Sequence, residues 1–179
     1  MLNCVEGKII FVTGGTGSIG GELVRQLLAL NPRTVRIFEH HEDSLFTYSQ
    51  KMEGQDKLRY LLGDVRDADR VKRGMENVDI VFHAAALKHV PLCEYNPFEA
   101  IYTNVIGTQN IIEAALYHNV EKVVLISTDK AANPGNTMGA TKLLAEKLFV
   151  DANYYGGKSR SVFSCVRFGN VINSNGSVI

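Results

Sequence analysis

A chain of 179 residues has room for one domain with a sizeable core. Apolar residues at 45% and charged residues at 21% are the composition of an ordinary globular protein, which excludes a disordered or fibrous chain. Nineteen Lys and Arg balance nineteen Asp and Glu, so the basic excess expected of a nucleic-acid or membrane-surface binder is missing.

Short β-branched runs alternate with helical patterns along the chain. Residues 8–14 (KIIFVTG) read as a first strand, apolar throughout as a strand buried on both faces should be. Residues 18–30 follow as a helix with Ile19, Leu23 and Leu27 on one face, stopped by Asn31-Pro32. A second strand (34–39), a weaker helix (44–52), a third strand (58–62), a short helix (67–75) and a fourth strand (78–83) come next. The rest reads as a long helix (97–118), a fifth strand (120–127), a helix (136–153) with Ala140, Leu144 and Leu148 on one face, and a sixth strand (161–168). This alternation predicts an α/β fold, a doubly wound parallel sheet of the Rossmann type in the order 3-2-1-4-5-6. Ligands of such a sheet bind outside the carboxyl ends of its strands, and the unusual residue clusters fall there.

The first cluster is Thr13 to Gly20 (TGGTGSIG), directly between strand and helix. Gly14, Gly17 and Gly20 permit a tight turn and close approach of backbone to a pyrophosphate, while Ser18 and Ile19 open the helix whose N–H groups face the phosphates. A turn that merely reverses the chain is the alternative. Glu39 ends the second strand nineteen residues after Gly20. A carboxylate there accepts the adenosine ribose hydroxyls and repels a 2′-phosphate, favouring NAD over NADP. Its alternative is a solvated acid in the run Glu39 to Asp43. Asp64 and Val65, closing the third strand, suit an adenine cap, or a plain turn aspartate. Ala84, Ala85 and Ala86 leave room for a flat ring, or simply pack tightly.

Thr128, Asp129 and Lys130 end the fifth strand, where a hydroxyl, an acid and an amine suit chemistry better than a core. Met138 and Lys142 follow at i, i+4 on one helical face. Taken alone, Lys142 would be a solvated lysine and Met138 core filling. Cys4, Cys93 and Cys165 are few and scattered, which excludes a disulfide framework and a zinc ribbon and fits a reducing compartment. The histidines have no metal-ligand spacing, so no metal is expected. No apolar run reaches the ~20 residues that span a bilayer. The N-terminus lacks a signal pattern, and the expectation is a cytoplasmic protein. The chain stops soon after the sixth strand, which predicts a protein whose C-terminal substrate lobe is largely absent from this sequence.

TGGTGSIG, the alanine run, STDKAANP and the Met138/Lys142 spacing resemble the extended short-chain dehydrogenase/reductase superfamily. Within it, residues 84–97 (AAALKHVPLCEYNP), 103–110 (TNVIGTQN), 127–142 (STDKAANPGNTMGATK) and 167–171 (RFGNV) resemble the nucleotide-sugar 4,6-dehydratases of polysaccharide biosynthesis, which act on UDP-N-acetylglucosamine. The resemblance implies bound NAD, oxidation of the sugar at its 4-position, loss of water across the 5- and 6-positions, and return of the hydride to the 6-position. It gives Lys130 the base's role at the 5-position, protonated Asp129 the acid's role, Thr128 a hydrogen bond to the 4-hydroxyl, and Lys142 the nicotinamide ribose. Lys88, His89, Asn104 and Asn170 become candidate contacts to the UDP-sugar, with a backbone-capping amide as the alternative for the two asparagines. Met138 departs from the superfamily's usual tyrosine and cannot accept a proton. Some dehydratases of this type, membrane-anchored ones included, share the methionine, so the change marks a subgroup. A bound water working with Asp129 or Thr128 then replaces the phenolate. A UDP-sugar 4-epimerase and a non-catalytic NAD-binding module are the rival readings, and the Asp129-Lys130 pair favours elimination. The resemblance also implies a homodimer or higher homo-oligomer, and nothing in the charge supports a nucleic-acid partner.

Overall fold

Six parallel strands form one sheet in the order β3-β2-β1-β4-β5-β6. The computed structural model describes residues 4–155, 157 and 159–172. The closing tetrapeptide (176–179), whose apolar end prompted the expectation of a missing lobe, lies outside them. The strands are β1 (Ile9–Thr13), β2 (Thr34–Glu39), β3 (Leu58–Leu62), β4 (Ile80–His83), β5 (Lys122–Thr128) and β6 (Val162–Phe168). Helices α1 (Ser18–Ala29), α2 (Glu42–Lys51) and α3 (Ala68–Gly74) link the first four strands. Helices α4 (Val90–Tyr95), α5 (Pro97–Ile101) and α6 (Gly107–His118) lie between β4 and β5, and α7 (Thr137–Tyr155) precedes β6. The predicted doubly wound order is the observed one.

The apolar strands divide their side chains between two cores because both sheet faces are covered. Ile10 and Val12 of β1 point to one face, where they meet Val24 and Leu27 of α1 and Leu45 of α2. Phe11 points to the other, among Val71, Ile111, Ile112 and Phe149 from α3, α6 and α7. Phe11 and Phe38 meet at a tilt with their rings 5.2 Å apart, and Phe149 meets Phe163 edge-on at 5.5 Å. Each such ring removed from water contributes on the order of 2–3 kcal/mol. Asn31 and Asn119, at φ 56° and 54°, end α1 and α6 in the left-handed region, where asparagine is tolerated better than most side chains.

Three expectations are corrected by this packing. The buried stripe of α1 is Gly20, Val24 and Leu27 rather than Ile19, Leu23 and Leu27. The helix is turned because Gly20 must approach the phosphate turn: a Cβ on it would lie 2.2 Å from the Gly14 carbonyl oxygen. The buried face of α7 is Met138, Thr141, Lys142, Ala145, Glu146 and Phe149, while Leu144 of the expected face is 49% exposed. Two charged residues on the inward side hide that face from an apolar count. The single helix expected over 97–118 is broken by a π-helical turn, Tyr102–Ile106, and α4 precedes it unforeseen. The π turn brings Asn104 inward, where it is 1% exposed.

Candidate active site

At the carboxyl end of β1, Gly14 has φ +64°, and a Cβ there would sit 2.8 Å from the Ala85 backbone nitrogen. Only glycine joins β1 to the alanine segment after β4 in this way. Gly17 is the N-cap of α1 and, as a glycine, brings no capping side chain of its own. A Cβ on Gly17 would touch only the Gly14 carbonyl oxygen, at 3.3 Å, so the turn stays open on its outer side. A helix that starts on a glycine cap beneath an open glycine turn fits a pyrophosphate. Ser18 and Ile19 begin that helix, as expected.

Glu39 ends β2 and is 8% exposed. One carboxylate oxygen accepts Thr16 Oγ1 at 2.8 Å, and the other accepts the backbone N–H groups of His40 at 3.0 Å and His41 at 3.3 Å. The acid is therefore fixed against the phosphate turn rather than solvated, which fits a ribose beside the pyrophosphate. Asp64 holds Arg66 through both backbone and guanidinium, at 2.9, 2.8 and 2.6 Å. Burial pushes its carboxyl up, but these Arg66 bonds outweigh it and hold the group below the usual range. Arg66 reaches on to Glu99 at 2.8 Å. Val65 is buried, and its carbonyl accepts the Asn110 amide at 2.9 Å.

A buried polar chain crosses beneath the cleft. Thr13 Oγ1 accepts the N–H groups of Ala84 and Ala85, both at 3.1 Å. Its hydroxyl proton is then left for His83 Nδ1, 2.7 Å away. That assigns the proton to His83 Nε2, which donates to Thr108 Oγ1 at 3.1 Å, and Thr108 donates to the Asn104 carbonyl at 2.6 Å. The Asn104 amide accepts from Leu87 N–H and donates to the Leu87 carbonyl and to Thr141 Oγ1, at 2.8, 3.0 and 3.0 Å. Thr141 donates to the Met138 carbonyl at 2.8 Å. Burial, and then the charge on Lys142, push the His83 imidazole down to about 3, so it is neutral. Asn104 thus caps backbone and clamps the alanine segment (84–86) to the start of α7. Its amide is spent on protein partners, not presented to a substrate.

Thr128, Asp129, Lys130 and Asn170 come together at the open end of β5 and β6. Thr128 Oγ1 donates to Asp129 Oδ1 at 2.9 Å, and Lys130 Nζ donates to Asp129 Oδ1 at 3.3 Å and Asn170 Oδ1 at 3.2 Å. The Thr128 hydroxyl, then the Lys130 amine, hold the Asp129 carboxyl below its ordinary range. Asp129 is therefore a carboxylate here, not the protonated acid that the sequence reading required. Lys142 is buried, and Nζ donates to the Ile126 carbonyl at 2.7 Å. Met138 packs in a small apolar cluster with Cys93, Ala100 and Val90. Lys88 and His89 are exposed in the segment before α4. Among the described residues, no group of three or more His, Cys, Asp and Glu side chains is placed to hold a metal ion.

Sequence reasoning missed His83, Thr13, Thr16 and Glu146. His83 closes a strand without a motif of its own, and within TGGTGSIG the glycines drew the reading away from Thr13 and Thr16. Glu146 stands four residues after Lys142, a spacing that would have drawn it in.

The pattern that defines the polysaccharide biosynthesis protein family matches residues 10–179. The chain belongs to that family. It is 60% identical to the uncharacterized membrane protein MJ1061 of Methanocaldococcus jannaschii, over 99% of this chain and 53% of that one. It is 47% identical to a UDP-N-acetylglucosamine 4,6-dehydratase (inverting) of Campylobacter jejuni, over 97% and 52%, and 40% identical to a UDP-glucose 4-epimerase of Rickettsia bellii, over 96% and 51%. The chain spans about half the length of these relatives. Among solved structures it resembles Pen from Bacillus thuringiensis, with a TM-score of 0.95 and 47% identity over 97% of this chain and 55% of that one. It also resembles the dTDP-glucose 4,6-dehydratase DesIV from Streptomyces venezuelae, solved with NAD and TYD bound, with a TM-score of 0.79 and 26% identity over 89% and 55%. The polysaccharide biosynthesis family thus shares its fold with proteins that bind NAD. Among the described residues of this member, no helix is long and apolar enough to cross a membrane.

Proposed function

We propose that this chain is the cofactor-binding part of a UDP-N-acetylglucosamine 4,6-dehydratase that uses NAD rather than NADP. The carrying observation is the Thr128-Asp129-Lys130 cluster at the carboxyl end of β5, within one hydroxyl–carboxylate–amine chain. The open glycine turn and the fixed Glu39 carboxylate support the cofactor assignment. NAD held by the glycine turn and Glu39 would supply the hydride acceptor for the sugar's 4-position and the hydride donor for its 6-position. The chain's own residues supply the proton movements.

Thr128 Oγ1 hydrogen-bonds the 4-hydroxyl and passes its proton to Asp129 Oδ1, the oxygen it already faces. This removes the need for a phenolate where Met138 stands. Lys130, once it has released its proton to solvent, takes the proton from the 5-position with Nζ. Asp129 gives its acquired proton to the departing 6-hydroxyl, which leaves as water, and Lys130 returns its own to the 5-position. Both residues end as they began. Asn170 orients the Lys130 amine, and Lys142 places a positive charge near the developing alkoxide. An epimerase expels no water and has no use for the Asp129-Lys130 pair, so the pair favours the dehydratase over that rival.

The test separates the steps. In deuterated water, Asp129→Asn should slow water loss at least ~100-fold, and Lys130→Met should abolish deuterium entry at the 5-position. Both variants should keep NAD affinity. Unchanged water loss in Asp129→Asn would remove the acid's role and the relay with it.

A further inference from the structure

Behind Lys142 lies a second charged pair that the reaction above does not use. Glu146 stands one helical turn further along α7 on the same inward face and is 8% exposed. Arg167 on β6 grips its carboxylate with two parallel bonds, Nε to Oε1 at 2.9 Å and Nη2 to Oε2 at 2.6 Å. Such a fork fixes both the charge and the direction of a carboxylate. Ser127 Oγ is buried without a hydrogen-bond partner and acts on the same carboxylate. The titratable and charged groups around Lys142 are Glu146 on its own helix, His83 on β4, and Cys165 with Arg167 on β6. His83 is neutral, and burial pushes the Cys165 thiol up to about 11, so it too carries no charge at neutral pH. That leaves Glu146, four residues on along the same buried face of α7, as the anion that acts on Lys142 from these elements.

We infer that Glu146, oriented by Arg167, is a positioning residue that keeps the buried Lys142 amine protonated beneath the cofactor cleft. The inference rests on the proposed function for the statement that Lys142 lies under the nicotinamide ribose. The physics is direct. An amine with one backbone carbonyl as its partner and little water loses its proton readily, and burial already lowers Lys142 to about 8. The Glu146 carboxylate opposes that loss. The Arg167 guanidinium, bound to the same carboxylate, keeps Glu146 ionised and limits its pull on Lys142.

The two partners therefore act in opposite directions on one proton, and that is the test. Lysines labelled with 13C at Cε are followed by NMR against pH, with Lys142→Met assigning the resonance. Glu146→Gln should lower the Lys142 midpoint by about one pH unit or more, and Arg167→Gln should raise it. NAD binding is measured in parallel by calorimetry. Glu146→Gln should bind several-fold more weakly at pH 8 and recover at pH 6.5, where Lys142 regains its proton. A merely structural pair would give equal loss of stability in both variants, no opposed shifts and no recovery at lower pH. If Glu146→Gln does not fold, Arg167→Gln and Glu146→Asp carry the test. Glu146→Asp keeps the charge and should hold the midpoint within about half a unit. An unmoved midpoint in the folded variants overturns the inference. Shifted midpoints with NAD affinity that ignores the Lys142 proton would instead overturn the placement of Lys142 under the cofactor.

Discussion

His83 is a titratable side chain buried among protein partners. It is 1% exposed, with one ring nitrogen accepting from Thr13 and the other donating to Thr108. The unfolded chain takes up a proton near pH 6.5, whereas the folded chain resists until about pH 3. A base whose folded value is depressed contributes full stability above its unfolded value and loses it as the pH falls through that window. Carboxylates begin to add their own losses only below about pH 4.5. Urea titrations should therefore show stability falling between pH 6.5 and 4.5, by ~1.4 kcal/mol per pH unit at the steepest. His83→Gln should flatten that limb while costing ~1–3 kcal/mol at pH 7. An unchanged limb would mean that another group carries the proton. The Thr128-Asp129-Lys130 cluster was legible at this scale because a hydroxyl, an acid and an amine at a strand end have no packing reason to be adjacent. His83 was not, because a polar residue satisfied within a core looks like any other strand position.

The π turn at Tyr102–Ile106 is the element on which the cleft's inner wall depends. It swings Asn104 into the core, and through Asn104 the alanine segment and the start of α7 hold each other at fixed distance. Asn104→Ala leaves the Leu87 N–H, the Leu87 carbonyl and Thr141 short of partners, so the expected loss is ~2–4 kcal/mol in a buried network. Thermal unfolding measures it, and a change below ~0.5 kcal/mol would show that water replaces the clamp. The central strands β1 and β4 were readable because burial on both faces writes a continuous apolar run. Helix faces were not. Lys142 and Glu146 point inward on α7, so an apolar count selected Leu144, which is half exposed. The extra residue of a π turn leaves no mark in a helical periodicity either.

At the scale of the whole molecule, two halves of one sheet edge meet different fates. The amino ends of the strands are tied by charges such as Lys8 with Asp79 and Glu121, while the carboxyl ends collect every candidate functional group. Large apolar side chains remain on the outside of α4, α5 and the π turn, with Tyr95 86%, Phe98 75% and Tyr102 53% exposed. The resemblance implies a homodimer or higher homo-oligomer, and sedimentation velocity distinguishes that from a monomer. The family and the fold follow from the chain as it stands, and the substrate belongs to the proposal. The decisive measurement uses the protein at the full length of its relatives, incubated with UDP-N-acetylglucosamine and followed by mass spectrometry of the sugar nucleotide. The account predicts a product lighter by one water with no net consumption of NAD. An isomer of unchanged mass would contradict it and turn the reading to an epimerase.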